Sequence, residues 1–342
     1  MKGKRLKWAL VATVFLGILI YLADVREFLH FIGSSNKTYL LGALLCGLTA
    51  VPFLANSWHQ FINRVGGKQS FPSSLRLFMA GNFMNAVTPL GQFGGEPFMA
   101  YIIKDNTDIS YQQALSSVIS ADIINTIPVL TFTLIGTIYM FASSSLNNFL
   151  LELLFVVFIF SVVGGTLIFL LWFKPGFIEQ RVLVSVDKIT RIIGRGEHYI
   201  ESLEERLKEI EDSFETLGSS KSFLAKTALV AHIFFILQVT CFYLITRGLG
   251  LEVPVVLIIF ALPLASLATF APTPGGSGAY EATMTSILIT LAGISYTPAL
   301  AAAVLFRAVT YWQDIVLGYL SFITLPKTSK DEIDEETISE LE

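Results

Sequence analysis

Six stretches of this chain read as helices that cross a lipid bilayer, and no other feature constrains its fold so tightly. A spanning helix needs about 20 mainly apolar residues. The stretches are Trp8–Ala23, Tyr39–Trp58, Ala114–Phe141, Phe149–Phe173, Phe223–Thr246 and Pro298–Leu325. Two further apolar stretches are interrupted: Leu75–Ile103 by Thr88–Gly95, and Pro254–Leu291 by Pro272–Gly278. Composition agrees. Charged residues make up only 15% of the 342 and apolar ones 53%, against roughly 25% charged in an ordinary globular chain. That excludes a soluble enzyme, a disordered chain and a disulfide scaffold. Cys46 and Cys241 both lie in apolar runs and have neither disulfide nor metal-ligand spacing.

Lys and Arg set the orientation. With the N-terminus inside, and each interrupted stretch returning to the side it came from, eighteen of the 23 Lys and Arg fall in inside segments. Only Arg26, Lys37 and Arg247 fall outside, and Lys226 and Arg307 lie within spans. Both termini are therefore expected in the cytoplasm, and the chain in the cell membrane. Lys2, Lys4, Arg5 and Lys7 precede the first span, which has no small-x-small site before Asp24. This reads as an uncleaved signal-anchor. The expected organisation is an anchor and outer loop (1–37), repeat one (38–141), a linking helix (142–173), a cytoplasmic amphipathic segment (174–222), repeat two (223–326) and a solvated acidic tail (327–342). In the amphipathic segment Ile189, Ile193, Ile200, Leu203, Leu207, Ile210, Phe214 and Leu217 recur at helical spacing, as expected of an element packed against the inner face of the bundle.

The repeat is read from two motifs. Thr88-Pro89-Leu90-Gly91-Gln92-Phe93-Gly94-Gly95-Glu96 and Thr273-Pro274-Gly275-Gly276-Ser277-Gly278-Ala279-Tyr280-Glu281 both follow T-P-x-G-x-x-x-x-E, 185 residues apart. The same offset relates Asp122 to Arg307, two lone charges in long apolar helices. One helix between the units makes their orientations opposite. The expected fold class is thus an all-α polytopic membrane bundle with two inverted repeats, each carrying a re-entrant, Gly/Pro-broken helix pair. Such broken helices meeting near the midplane are a transporter design.

Each motif has a physical reading. Pro stops a helix, and Gly lets the backbone turn tightly with its N–H groups exposed. A half-helix beginning after the turn points its positive end at the site and can hold an anion. Glu96 and Glu281 sit early in these half-helices. A carboxylate in the membrane marks a functional site by default, and capping of the free N–H groups fits equally. Asp122 and Arg307 could pair with one another. Alternatively Asp122 is served by Asn125, and Arg307 by Tyr311 and Asp314 on its own face. His30, His59, His198 and His232 have no metal-ligand spacing, Gly66–Ser70 lacks the spacing of a phosphate loop, and no nucleophile motif occurs. No cofactor, metal, catalytic residue or nucleic-acid partner is expected.

Asn85-x-x-Thr88-Pro89-x-Gly91-x-x-Gly94-Gly95-Glu96-Pro97, Pro272-Thr273-Pro274-Gly275-Gly276-x-Gly278-x-x-Glu281 and Phe306-Arg307-x-x-Thr310-Tyr311-Trp312 resemble the lysylphosphatidylglycerol synthase transmembrane-region family over about residues 8–325. The resemblance implies a flippase-like region of the kind found in the multiple peptide resistance factor, without its synthase domain. Other relatives stand alone or are fused to archaeal glycosyltransferases. Met99 stands where the family often has a basic residue, and Asp122 near where it often has Arg, so the substrate here can differ. The leading expectation is translocation of a phosphate-containing lipid, aminoacylated or polyprenyl-linked. Asn85, Thr88, Pro89, Gly91, Gly94, Gly95, Glu96, Thr273, Pro274, Gly275, Gly276, Gly278, Glu281, Arg307 and Tyr311 would contact it, with Asp122, Asn125 and Asp314 as further intramembrane polar groups. An ion-coupled carrier of a small solute, and a non-transporting subunit serving a lipid-linked glycosyltransferase, are the alternatives. The expected partners are membrane lipids, with a homodimer or a lipid-modifying enzyme left open.

Overall fold

The computed structural model describes residues 25–87, 95–143, 212–271 and 273–325, with 155, 158–159, 162–166 and 210. The signal-anchor, Thr88–Gly94, most of the linking helix and cytoplasmic segment, and the acidic tail lie outside the described residues. The described chain is helical, without a strand. Its elements are α1 (Val25–Ser34), α2 (Lys37–Arg64), α3 (Phe71–Val87), α4 (Glu96–Asn106), α5 (Tyr111–Ser143), α6 (Lys221–Gly248), α7 (Val255–Ser266), α8 (Ala279–Ala292), α9 (Tyr296–Arg307) and α10 (Gln313–Ile323). A π turn, Ala308–Trp312, joins α9 to α10 in one continuous rod. Among the described residues, four helices are long and apolar enough to cross a membrane: Lys37–Arg64, Tyr111–Tyr139, Lys221–Gly248 and Tyr296–Ile323.

Local chemistry sets the helix ends. Asn36 caps α2 by accepting the Thr38 N–H at 3.0 Å, and Ser220 caps α6 by accepting the Phe223 N–H at 3.3 Å. Helix α8 stops at Gly293, whose φ of +66° suits a residue without Cβ.

Helices α2 and α6 pack antiparallel along their whole length, clipped at both ends. At one end the Asn36 N–H donates to the Gly248 carbonyl at 2.8 Å. At the other, Arg64 donates to the Thr216 carbonyl and to Ser219 Oγ, and lies 4.5 Å above the Phe223 ring. On either side of this pair a short helix meets one half of a long one. Helix α3 packs on α10, where a Cβ on Gly318 would stand 2.6 Å from the Met79 carbonyl. Helix α7 packs on α5, where a Cβ on Gly136 would stand 3.1 Å from that of Phe260. Small residues at these crossings let the backbones approach.

The element order recurs. Helices starting at Lys37, Phe71, Glu96 and Tyr111 have counterparts starting at Lys221, Val255, Ala279 and Tyr296. Two apolar cores form, one around Trp58, Phe61, Ile103 and Ile124 with Leu224 and Ala231 of α6, the other around Phe242, Ile258, Met284 and Leu300 with Ala43 of α2. Leu217 is buried in the first core, beside the start of α6. Leu41, Leu45, Ile138, Leu229 and Ile236 are exposed on the long helices. In an integral, multi-pass membrane protein these positions face lipid.

Candidate functional site

The site grows from the break between α7 and α8. After α7 a 3-10 turn runs over Leu267–Phe270, and a second opens at Pro274. Gly275, Gly276 and Gly278 then take φ values of +55°, +66° and +86°. Side chains are excluded by space as well. A Cβ on Gly275 would strike the Tyr311 ring, and one on Gly276 would lie 2.5 Å from Thr269 Cα and 2.6 Å from the Ala268 carbonyl. Thr273 Oγ1 donates to the Ser277 carbonyl at 3.1 Å, closing the turn.

Glu281 faces the start of α8, where its Oε2 accepts the Gly278 N–H at 2.6 Å. Its Oε1 lies 3.5 Å from Arg307 Nε. Both side chains are almost sealed from solvent, at 1% and 7% exposure. Capping and a charged partner therefore coexist in one carboxylate. Arg307 is also fixed by donation from Nη2 to the Gly275 carbonyl at 2.8 Å, and its guanidinium lies 3.6 Å above the Tyr311 ring. A π turn in the middle of a helix adds a residue to the turn and re-aims the side chains that follow. Here it begins directly after Arg307. It brings Tyr311 over the guanidinium and its hydroxyl to the Ala86 carbonyl at the end of α3, 3.3 Å away.

A cavity of about 320 Å³ opens beside this cluster. Its walls come from both sets of helices: Gly47, Val51 and Leu54 of α2, Asn82, Asn85 and Ala86 of α3, Val129 of α5, Phe235 and Gln238 of α6, and Gly275, Tyr280, Arg307, Tyr311 and Asp314. Among the described residues, Arg307 and Asp314 are the only charged ones lining it. Three buried polar atoms on these walls, Asn85 Oδ1, Gln238 Oε1 and Asp314 Oδ1, have no hydrogen-bond partner among the described residues. Unsatisfied buried polar atoms are rare in folded chains, and their gathering around one space makes it the candidate site.

The residues read from the sequence divide into groups. Asn85, Gly275, Arg307, Tyr311 and Asp314 line the cavity, and Glu281 stands behind Arg307. Thr273, Pro274, Gly276 and Gly278 build the turn without lining the cavity. Gly95 is buried and packs on Asn85. Thr88, Pro89, Gly91 and Gly94 lie outside the described residues. Glu96 opens α4 and is half-buried. Asp122 sits on α5, with the Trp58 indole and the Glu96 carboxylate acting on it. Asn125 accepts from Ser57 Oγ at 2.7 Å, tying α5 to α2. A direct pair between Asp122 and Arg307 is not formed, because the hairpin of α8 and α9 delivers Glu281 to Arg307 instead. The sequence reading missed Asn82, Gln238 and Tyr280.

The profile of the lysylphosphatidylglycerol synthase TM region matches residues 8–318. The chain belongs to that family. It is 26% identical over 349 residues to a UPF0104 membrane protein of Methanocaldococcus jannaschii, covering 98% of each chain. It is 24% identical over 340 residues to a UPF0104 membrane protein of Methanothermobacter thermautotrophicus, covering 93% of this chain and 94% of the relative. It is also 20% identical over 351 residues to the glycosyltransferase AglD of Haloferax volcanii, covering 95% of this chain and 55% of AglD.

Proposed function

We propose that this family member moves a lipid with a phosphate-containing headgroup between the leaflets of the cell membrane. The observation that carries the reading is the cavity in the bundle, whose largely apolar walls, drawn from both sets of helices, carry a few polar groups that are unpartnered among the described residues. The two sets are read as inverted repeats. The antiparallel pairing of α2 and α6 supports this, as does the recurrence of helix starts. So does the way α3 meets the second half of the α9–α10 rod while α7 meets the second half of α5. With α2 entering from outside, α3 and α4 dip in from the cytoplasm, and α7 and α8 dip in from the other face. The acyl or prenyl chains stay in lipid while the headgroup crosses through the cavity. Arg307 offers its remaining N–H groups to the phosphate, and Asn85 and Gln238 complete the polar wall. No covalent chemistry is involved, and both termini lie in the cytoplasm.

The test is transfer of fluorescently tailed phosphatidylglycerol in liposomes holding the purified protein, read by dithionite quenching of the outer leaflet. Transfer above that of empty liposomes is expected, reduced at least fivefold in Asn85→Ala and Gln238→Ala. Rates equal to those of empty liposomes would reject the reading.

A second reading is a non-transporting membrane subunit serving a lipid-linked glycosyltransferase. It is favoured by the similarity to AglD over 55% of that protein. It requires a glycosyltransferase to co-purify with the chain, and it requires no transfer in the liposomes.

A further inference from the structure

The charges around the cavity do not balance for an anionic ligand. Arg307 is the cationic side chain on its wall, and its charge is already met by Glu281 at 3.5 Å. Glu281 is held in place by the Gly278 N–H and is 1% exposed, so it is not free to move aside. That leaves Asp314. It lines the same cavity, and its Oδ1 is buried with no hydrogen-bond partner among the described residues. The neighbouring described elements offer no compensating charge. Helix α2 presents Gly47, Val51 and Leu54 to the cavity, and α3 presents two asparagines. On its own rod the charged and titratable neighbours are Arg307 and Tyr311, one stacked on the other. A phosphate monoanion entering this space would therefore join an uncompensated carboxylate in a low dielectric. Two like charges in such a site do not both stay ionised.

Resting on the lipid-transfer reading, we propose that Asp314 is the proton-binding group of the cavity, taking up one proton from water as the anionic headgroup enters and returning it when the headgroup leaves. The proton adds to the carboxylate as the lipid phosphate docks, so the net charge of the cavity is unchanged by loading. Loading is then favoured on the more acidic side of the membrane, which couples lipid movement to a proton gradient. Glu281 does not take this role, because its two oxygens are committed to the cap and to Arg307.

The experiment uses the purified full chain in detergent micelles and dihexanoyl-phosphatidylglycerol as the probe. Binding is measured by calorimetry at one pH in two buffers of different ionisation enthalpy, which counts the protons taken up. Close to one proton per bound lipid is expected for the wild type. Across pH 7–9 the affinity should fall about tenfold per pH unit, as linkage of one proton requires. Asp314→Asn should bind with no proton uptake and a flat pH dependence, and Asp314→Glu should restore both. A single symmetric peak in size-exclusion chromatography establishes that each variant is folded. Lipid binding without proton uptake in the wild type overturns the proposal and leaves the transfer reading standing. Proton uptake that persists in Asp314→Asn overturns it as well. Tighter binding of dihexanoyl-phosphatidylethanolamine without proton uptake would make Asp314 the counter-ion of an ammonium headgroup and also overturn it. Failure to bind either lipid overturns both readings.

Discussion

Arg307 and Glu281 form an ion pair at 3.5 Å in which both partners are almost sealed from solvent. The arginine belongs to the long rod of α9 and α10, and the glutamate to the first turn of α8. The pair therefore joins the Gly-rich turn to the helix that lines the cavity. Desolvating two charges is costly, and the pair holds only while both are present.

Removing one partner should be far worse than removing both. Glu281→Gln and Arg307→Gln each leave an uncompensated buried charge, at a cost of about 3–5 kcal/mol. The double variant should lose clearly less than the sum of the two. Thermal unfolding of the four proteins in detergent, arranged as a double-mutant cycle, measures the coupling. Additive losses would show that the two charges act independently.

The equivalent positions in the first set of helices are Glu96 and Asp122, so a like-charge pair stands where the second set has an ion pair. Glu96 acts electrostatically on Asp122. Replacing Asp122 by Asn removes the repulsion while keeping a polar side chain of the same size beside the Trp58 indole. We expect Asp122→Asn to unfold at the same temperature as the wild type or higher, in contrast to Arg307→Gln. A loss above about 1 kcal/mol, the usual scale of a lost neutral hydrogen bond, would mean that the ionised carboxylate is structurally required.

Gly276 and Gly250 separate space from backbone strain. Both have positive φ, +66° and +72°. A Cβ on Gly250 would meet nothing within 4 Å, whereas one on Gly276 would run into the backbone of Ala268 and Thr269. Gly250→Ala should cost about 1–2 kcal/mol, the left-handed penalty alone. Gly276→Ala should cost more than twice that, because backbone cannot step aside, and it should reduce the folded yield in size-exclusion chromatography.

These cases also show what the sequence could convey. The Gly-rich turn was legible because proline and positive-φ glycines act locally, and the long spans because a bilayer demands them. The partner of Arg307 was not. An offset of 185 residues suggests Asp122, but equivalence within a repeat relates two separate half-sites, while the short connection between α8 and α9 is what brings side chains together. Gln238 was missed because a single amide in the run Phe223–Thr246 carries no direction until α6 is packed. The π turn left no signal at all, since its residues, Ala308 to Trp312, are compatible with an ordinary helix. The first motif's turn, Thr88–Gly94, lies outside the described residues, so its likeness to the second rests on sequence.

The proposed inversion of the two sets of helices has a direct test in loop accessibility. Ser70 precedes α3 and Asp108 follows α4, both exposed; Glu252 precedes α7 and Ser295 follows α8, also exposed. If each short pair enters and leaves by the same face, Ser70 and Asp108 share one side, and Glu252 and Ser295 share the other. From the abundance of Lys and Arg the first pair is expected in the cytoplasm. Single cysteines at these four positions, in a background with Cys46 and Cys241 replaced by alanine, should divide evenly. Those at Glu252 and Ser295 should react with an impermeant maleimide on intact cells, and those at Ser70 and Asp108 only after permeabilisation. Labelling of Ser70 and Asp108 from different faces would mean that only one of α3 and α4 crosses. Labelling of all four from one face would make the two sets parallel, and the cavity could no longer be approached from opposite leaflets by symmetric halves.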